Sequence, residues 1–225
     1  MSGVIPQKRF RELKNFGVKT ASFDQIKCLV KYADHIEKSD CKVVGEGVCA
    51  ALSMAWLQEK FARKSDRFVS KTNRALWDIA SLEATTDSIP KYIKYRRDFT
   101  DGSDYIEATG RLAEEYDLSL GEAFPIKLFS GQEVEVHKNL PNDGGMYAHA
   151  LVFPKSDPSQ RKAHCVAFFK GADGKFHFFD PNIGAYEIEG NSEKFYAFFG
   201  KYQELVEEHL WTYGNTTLWP VTPRY

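Results

Sequence analysis

Three residues of this 225-residue chain, Cys49, His164 and Asp180, have the types and spacing of an acyl-transfer site. Cys49 follows a glycine turn, Gly45-Glu46-Gly47, and opens a dense apolar run. A thiol at a helix N-terminus meets unpaired N–H groups and the positive end of the helix dipole, which favour the thiolate. Taken alone, Cys49 reads more readily as a small buried hydrophobe. A thiolate nucleophile needs a base within hydrogen-bond reach, and the base needs an acceptor to orient it. His164 opens one predicted strand and Asp180 closes the next, with Gly171-Ala172-Asp173-Gly174 as a tight turn between them. Antiparallel pairing about that turn sets position 164 opposite a residue between about 180 and 183. The two side chains are then direct or diagonal neighbours, provided the register puts them on one face. Asp180 would accept from one ring nitrogen and fix the tautomer, leaving the other nitrogen for the thiol. The alternative is a histidine and an aspartate that merely cap a hairpin.

The remaining histidines are less well placed. His149 lies one strand earlier and could neighbour the same site, so it is the rival base. His177 stands at odd spacing from Asp180 in one strand and faces the other way. His35, His137 and His209 have no acidic partner placed by a turn. The four cysteines, Cys28, Cys41, Cys49 and Cys165, contain no Cys-x-x-Cys pair, and no histidines lie close enough to suggest zinc. Neither a metal nor a cofactor is expected. Reduced thiols are expected too, because a chain of this size folds without disulfides. Cys165 adjoins His164, but strand neighbours point to opposite faces.

The elements that must position these residues fall into two halves. Ser22 could cap a helix from Phe23 to about Ile36, where apolar residues recur every three or four positions. Val48 to Leu57 is apolar around nearly its whole circumference, the pattern of a buried helix. Further helical patterns cover Arg74–Leu82 and Tyr105–Glu115, with a linker over Asp98–Ser103. The second half changes period. Met146–Phe153, Ala163–Lys170, Lys175–Asp180 and Gly184–Ile188 read as short strands. A helix from Asn191-Ser192 to about His209 follows, and Leu210–Val221 reads as a strand pair turning at Gly214-Asn215. The class is α+β: a helical first half, with a buried nucleophile helix packed on an antiparallel sheet.

Composition excludes several functions. With 30 basic and 31 acidic residues, the chain lacks the positive excess of a general nucleic-acid binder. No apolar stretch is long enough to span a membrane. Met1–Thr20 carries basic residues without an apolar core, so no Sec-type signal peptide is expected, and Ser2 is not the glycine that myristoylation needs. A 43% apolar and 14% aromatic content favours one packed globule.

Three segments together resemble a known family. Gly47-Val48-Cys49-Ala50-Ala51-Leu52-Ser53-Met54-Ala55-Trp56, Ala163-His164-Cys165-Val166-Ala167 and Phe178-Phe179-Asp180-Pro181-Asn182-Ile183-Gly184 look like the YopT/AvrPphB-type cysteine peptidases. These are papain-like bacterial effectors that specialised secretion systems deliver into host cells. The resemblance covers roughly Val44 to Tyr225 and implies a papain-like peptidase domain over residues 41–225; residues 1–40, which it does not cover, read as an N-terminal helical extension. It implies Cys49 as nucleophile, His164 as general base and acid, and Asp180 as orienter. It further implies action inside a host cell on a host protein, with small GTPases and kinases as substrate classes; a monomer is expected. One departure stands out. Papain-like enzymes usually carry a Gln or Asn shortly before the nucleophile to help stabilise the oxyanion, and Lys42–Val48 offers no amide side chain.

Other functions compete with the peptidase. A glutamine deamidase or a transglutaminase forms the same thioester and differs in what attacks it. A binding module on a decayed papain-like scaffold is a non-enzymatic alternative. Gly45-Glu46-Gly47-Val48-Cys49-Ala50 fits a loose dinucleotide-binding pattern, but Asp66 is misplaced for the ribose and no βαβ alternation follows. Lys91–Arg97 is basic and aromatic: either a contact for an acidic partner or membrane surface, or the solvated face of a helix.

Overall fold

Every residue from Cys165 to Phe169 is buried, so this strand is covered on both faces. A strand covered on one face alternates apolar and polar residues, whereas one covered on both reads as a continuous apolar run. The architecture is built around that strand. A computed structural model describes residues 7–26, 29, 48–64, 87–98, 104–126 and 133–224. In chain order they form a 3-10 helix (Gln7–Asn15), β1 (Val18–Ala21), α1 (Cys49–Lys64), α2 (87–98), α3 (Tyr105–Glu114), β2 (Leu118–Leu120) and β3 (Phe124–Ile126). Then come α4 (Glu133–Asn139), β4 (Gly144–Pro154), β5 (Lys162–Lys170), β6 (Phe176–Asp180), β7 (Gly184–Ile188), α5 (Ser192–His209) and β8 (Trp211–Pro223).

The strands make one antiparallel sheet in the order β1-β7-β6-β5-β4-β8-β2, with β3 also paired to β8. On one face, Cys165, Ala167 and Phe169 of β5 pack with Ala51, Leu52 and Trp56 of α1 and with Tyr92 and Tyr95 of α2. On the other face, Val166 and Phe168 meet Phe195, Phe198, Phe199 and Tyr202 of α5. Helices with an antiparallel sheet give the α+β class predicted above. Among the described residues no helix is long and apolar enough to cross a membrane.

The chain before α1 joins the same core. Phe10 and Leu13 are buried beneath α5, Glu12 pairs with Lys201 at 2.8 Å, and β1 forms the edge strand beside β7. Gly184, at φ +111°, begins β7, where a Cβ would run into the Ala21 carbonyl oxygen. Gly184→Ala should therefore destabilise the protein by on the order of 2–4 kcal/mol in a denaturant titration, through strain in both strands.

Three sequence expectations change. Leu210–Val221 is not a hairpin but part of one long strand, β8. Its pairing with β4 shifts between Ala150↔Thr216 and Val152↔Tyr213, so Gly214-Asn215 forms a bulge opposite Leu151 instead of a turn. Gly214 suits that bulge because a Cβ would press on the Phe153 ring. Phe23 and Asp24 lie outside the helix expected over Phe23–Ile36, although Gln25, Ile26 and Leu29 are helical. Asp98 belongs to α2, not to a linker. The rest of those two segments, and the helix expected over Arg74–Leu82, lie outside the described residues. In Lys91–Arg97, Tyr92 and Tyr95 are buried while Lys94 is exposed, the pattern of a helix with one solvated face.

Candidate active site

α1 begins at Cys49, and the entry to it is tied down from two distant segments. The Val48 N–H donates to Gln25 Oε1 at 2.9 Å. Because Oε1 is the only acceptor of that amide, Nε2 must face the other way, and it donates to Asn182 Oδ1 at 2.7 Å. The Gln25 N–H also donates to the Pro181 carbonyl at 2.9 Å. Gln25 thus straps the residue before Cys49 to the turn after Asp180. Cys49 itself is 7% exposed.

The β5–β6 hairpin sets the second and third residues. Its register pairs Ala167 with Phe179 and Phe168 with Phe178, which extrapolates to 164 opposite 182. Asp180 is then the diagonal neighbour of His164 on the same face. Asp180 Oδ1 accepts from His164 Nε2 at 3.0 Å and from the Asn182 N–H at 2.8 Å. Its Oδ2 accepts from the Tyr202 hydroxyl of α5 at 2.6 Å. With that proton committed, Tyr213 must donate the 3.0 Å bond between the two tyrosine hydroxyls. Both carboxylate oxygens are therefore engaged, and Asp180 is fully buried. The Trp211 ring lies 4.8 Å from the His164 ring at an interplanar angle of 53°.

The charges reinforce one another. Hydrogen bonding from Cys165 holds the Cys49 thiol well below its ordinary pKa; burial opposes this, while the hydrogen bond and charge of His164 add to it. Burial alone would pull His164 down, but the Asp180 charge and hydrogen bond, with the Cys49 pair, push it up to about 10. Burial works to raise Asp180, and the His164 charge with three hydrogen bonds overcomes it to leave the carboxyl below its usual range. Those directions favour a thiolate at Cys49 and an imidazolium at His164, with the Asp180 carboxylate behind it. With Nε2 on Asp180, the Nδ1 edge is left for the thiol.

The structure brings together all three residues singled out from sequence. It separates the rivals. His149 lies opposite Cys165 and packs against Tyr105 at 5.4 Å, and burial lowers its pKa, so it stays neutral. His177 faces Lys60, 3.2 Å from its Nδ1, and burial beside that cation takes it down to about 4. His137 packs among Phe176 and Phe195, and His209 neighbours Glu208 at 3.6 Å. His35, Cys28 and Cys41 lie outside the described residues. Sequence reasoning missed Gln25, Asn182, Tyr202, Tyr213 and Cys165. Asn182 was visible inside the Asp180-Pro181-Asn182 turn, but no local pattern ties Gln25 to it.

No protein-family profile matches the chain, and no curated protein is significantly similar in sequence. Among solved structures, the chain is similar to the crystal structure of the Pseudomonas avirulence protein AvrPphB, with a TM-score of 0.62. The chain shares that fold. The alignment covers 93% of this chain and 99% of AvrPphB at 17% identity. The papain-like α+β fold implied by the motifs is thus the one observed.

Proposed function

We propose that this chain is a papain-like cysteine peptidase of the YopT/AvrPphB type that acts on a host protein through Cys49, His164 and Asp180. The observation that carries this reading is the thiol at the start of α1 interacting with His164, whose other ring nitrogen is 3.0 Å from Asp180. The Cys49 thiolate attacks the scissile carbonyl carbon, and charge develops on the carbonyl oxygen. The Cys49 N–H, one of the helix's first-turn donors without a helical acceptor, stabilises that oxyanion. Gln25 is the candidate for the second donor: one Nε2 hydrogen goes to Asn182, and the other is the amide donor that Lys42–Val48 lacks. His164 then gives its proton to the leaving amine, leaving a thioester. The neutral imidazole deprotonates a water, which attacks the thioester and releases the thiolate.

The division into an extension over residues 1–40 and a peptidase domain over residues 41–225 is part of this proposal, with the extension docked through β1 and Gln25. So is delivery into a host cell. The rate should hold a plateau across neutral pH. It should fall above about pH 10, where His164 loses its proton, and fall in acid as Cys49 gains one. Mass spectrometry of host-lysate termini tests the activity. Incubation with the wild type should create new protein N-termini that Cys49→Ala does not. Conversion of a Gln to Glu without new termini would overturn the peptidase in favour of a deamidase, and no change of either kind would favour a binding module.

A further inference from the structure

Cys165 has no part in the triad, yet it sits against the nucleophile. Ser53 stands one helical turn after Cys49 on the same face of α1, and its hydroxyl donates to the Cys165 carbonyl at 3.3 Å. That bond lays the N-terminal turn of α1 over residue 165 of β5. From the other side, the Tyr147 hydroxyl of β4 donates to Cys165 Sγ at 2.9 Å. Register explains the contact: Tyr147 pairs with Ala167 and His149 with Cys165, so Tyr147 is the diagonal neighbour of Cys165. Cys165 is 1% exposed, so its S–H cannot turn to water. With its sulfur already accepting from Tyr147, its one proton is left to point at Cys49.

We propose that Cys165 is a second hydrogen-bond donor to the Cys49 thiolate, oriented by Tyr147, so that the nucleophile is held by His164 on one side and by the Tyr147–Cys165 chain on the other. This rests on the reading of Cys49 as nucleophile. Burial, and then the bond to Cys49, hold the Cys165 thiol well above its ordinary range, so it keeps the proton it donates. The hydrogen bond from Cys165 is also the largest influence lowering Cys49. The remaining titratable groups around the thiol are Tyr92, Tyr95 and Arg96 of α2, His149 of β4, and Asp180 behind His164. None of these is among the groups that hydrogen-bond to the Cys49 thiol, which are Cys165 and His164.

The test is the pH dependence of Cys49 alkylation by iodoacetamide, read at that cysteine by mass spectrometry. Cys165→Ala should raise the midpoint by about one pH unit, the scale of a lost hydrogen bond to a charged group. Cys165→Ser keeps a donor and should restore most of the shift. Tyr147→Phe should move the midpoint the same way by less, and serves if Cys165→Ala fails to fold. Simple loss of packing would not separate Ser from Ala in this way. A wild-type midpoint in folded Cys165→Ala or in folded Tyr147→Phe, or a Cys165→Ser midpoint raised as far as that of Cys165→Ala, would overturn the inference. If His164→Ala raises the midpoint while these variants do not, only this inference fails. An ordinary thiol midpoint for wild-type Cys49 would remove the nucleophile reading and this inference with it.

Discussion

His164→Ala should lower turnover by about 10³- to 10⁴-fold, the combined loss of the general base, the general acid and the partner of the thiolate. The imidazole is 4% exposed and lies against Trp211, so its removal also leaves a small cavity. A thermal melt on the same sample separates the two effects. The expected outcome is a folded protein with a modestly lowered melting temperature and almost no activity. His149→Ala is the matched control. It removes a neutral histidine packed on Tyr105 and should cost far less activity. An inactive His149→Ala beside an active His164→Ala would put the base on β4 and dismantle the triad.

Asp180→Asn should cut the rate by on the order of 10⁴ while leaving the fold largely intact. The amide is nearly isosteric, and its oxygen can still accept from His164 and the Asn182 N–H. Its NH2 then faces Tyr202, whose hydroxyl can turn to donate to Tyr213 instead, since the two hydroxyls are 3.0 Å apart. What the variant cannot replace is the buried negative charge that raises His164. The imidazole should then be neutral at neutral pH, and the Cys49 thiol should lose its ion-pair partner. The falling limb of the pH profile should accordingly move down from about 10. Unchanged kinetics with that limb in place would mean that Asp180 only holds the hairpin turn.

The three candidate residues were legible because each carries a local signal. A glycine turn before an all-round apolar run marks Cys49 as the first residue of a buried helix. The Asp-Gly hairpin turn fixes the arithmetic that makes His164 and Asp180 diagonal neighbours. The supports were not legible, since they come from elements with no shared local pattern. Gln25 reaches Asn182 across 157 positions, and the Tyr202 bond to Asp180 depends on how α5 seats against the sheet. Cys165 was expected to face away from His164, and along β5 it does pack with the α1 face. Yet Cys49, at the end of α1, interacts with both residues. The Gly214-Asn215 pair shows the same limit in the fold. The dipeptide signals a turn in isolation, and only the β4 partner strand makes it a bulge.

In the proposed mechanism Cys49 is a thiolate paired with His164. Iodoacetamide labelling at neutral pH, quantified separately at each cysteine, tests it most directly. Cys49 should react much faster than any other thiol, Cys165 should stay slow because burial keeps it protonated, and His164→Ala should slow Cys49 sharply. Labelling of Cys49 no faster than Cys165, or unaffected by loss of His164, would contradict that mechanism.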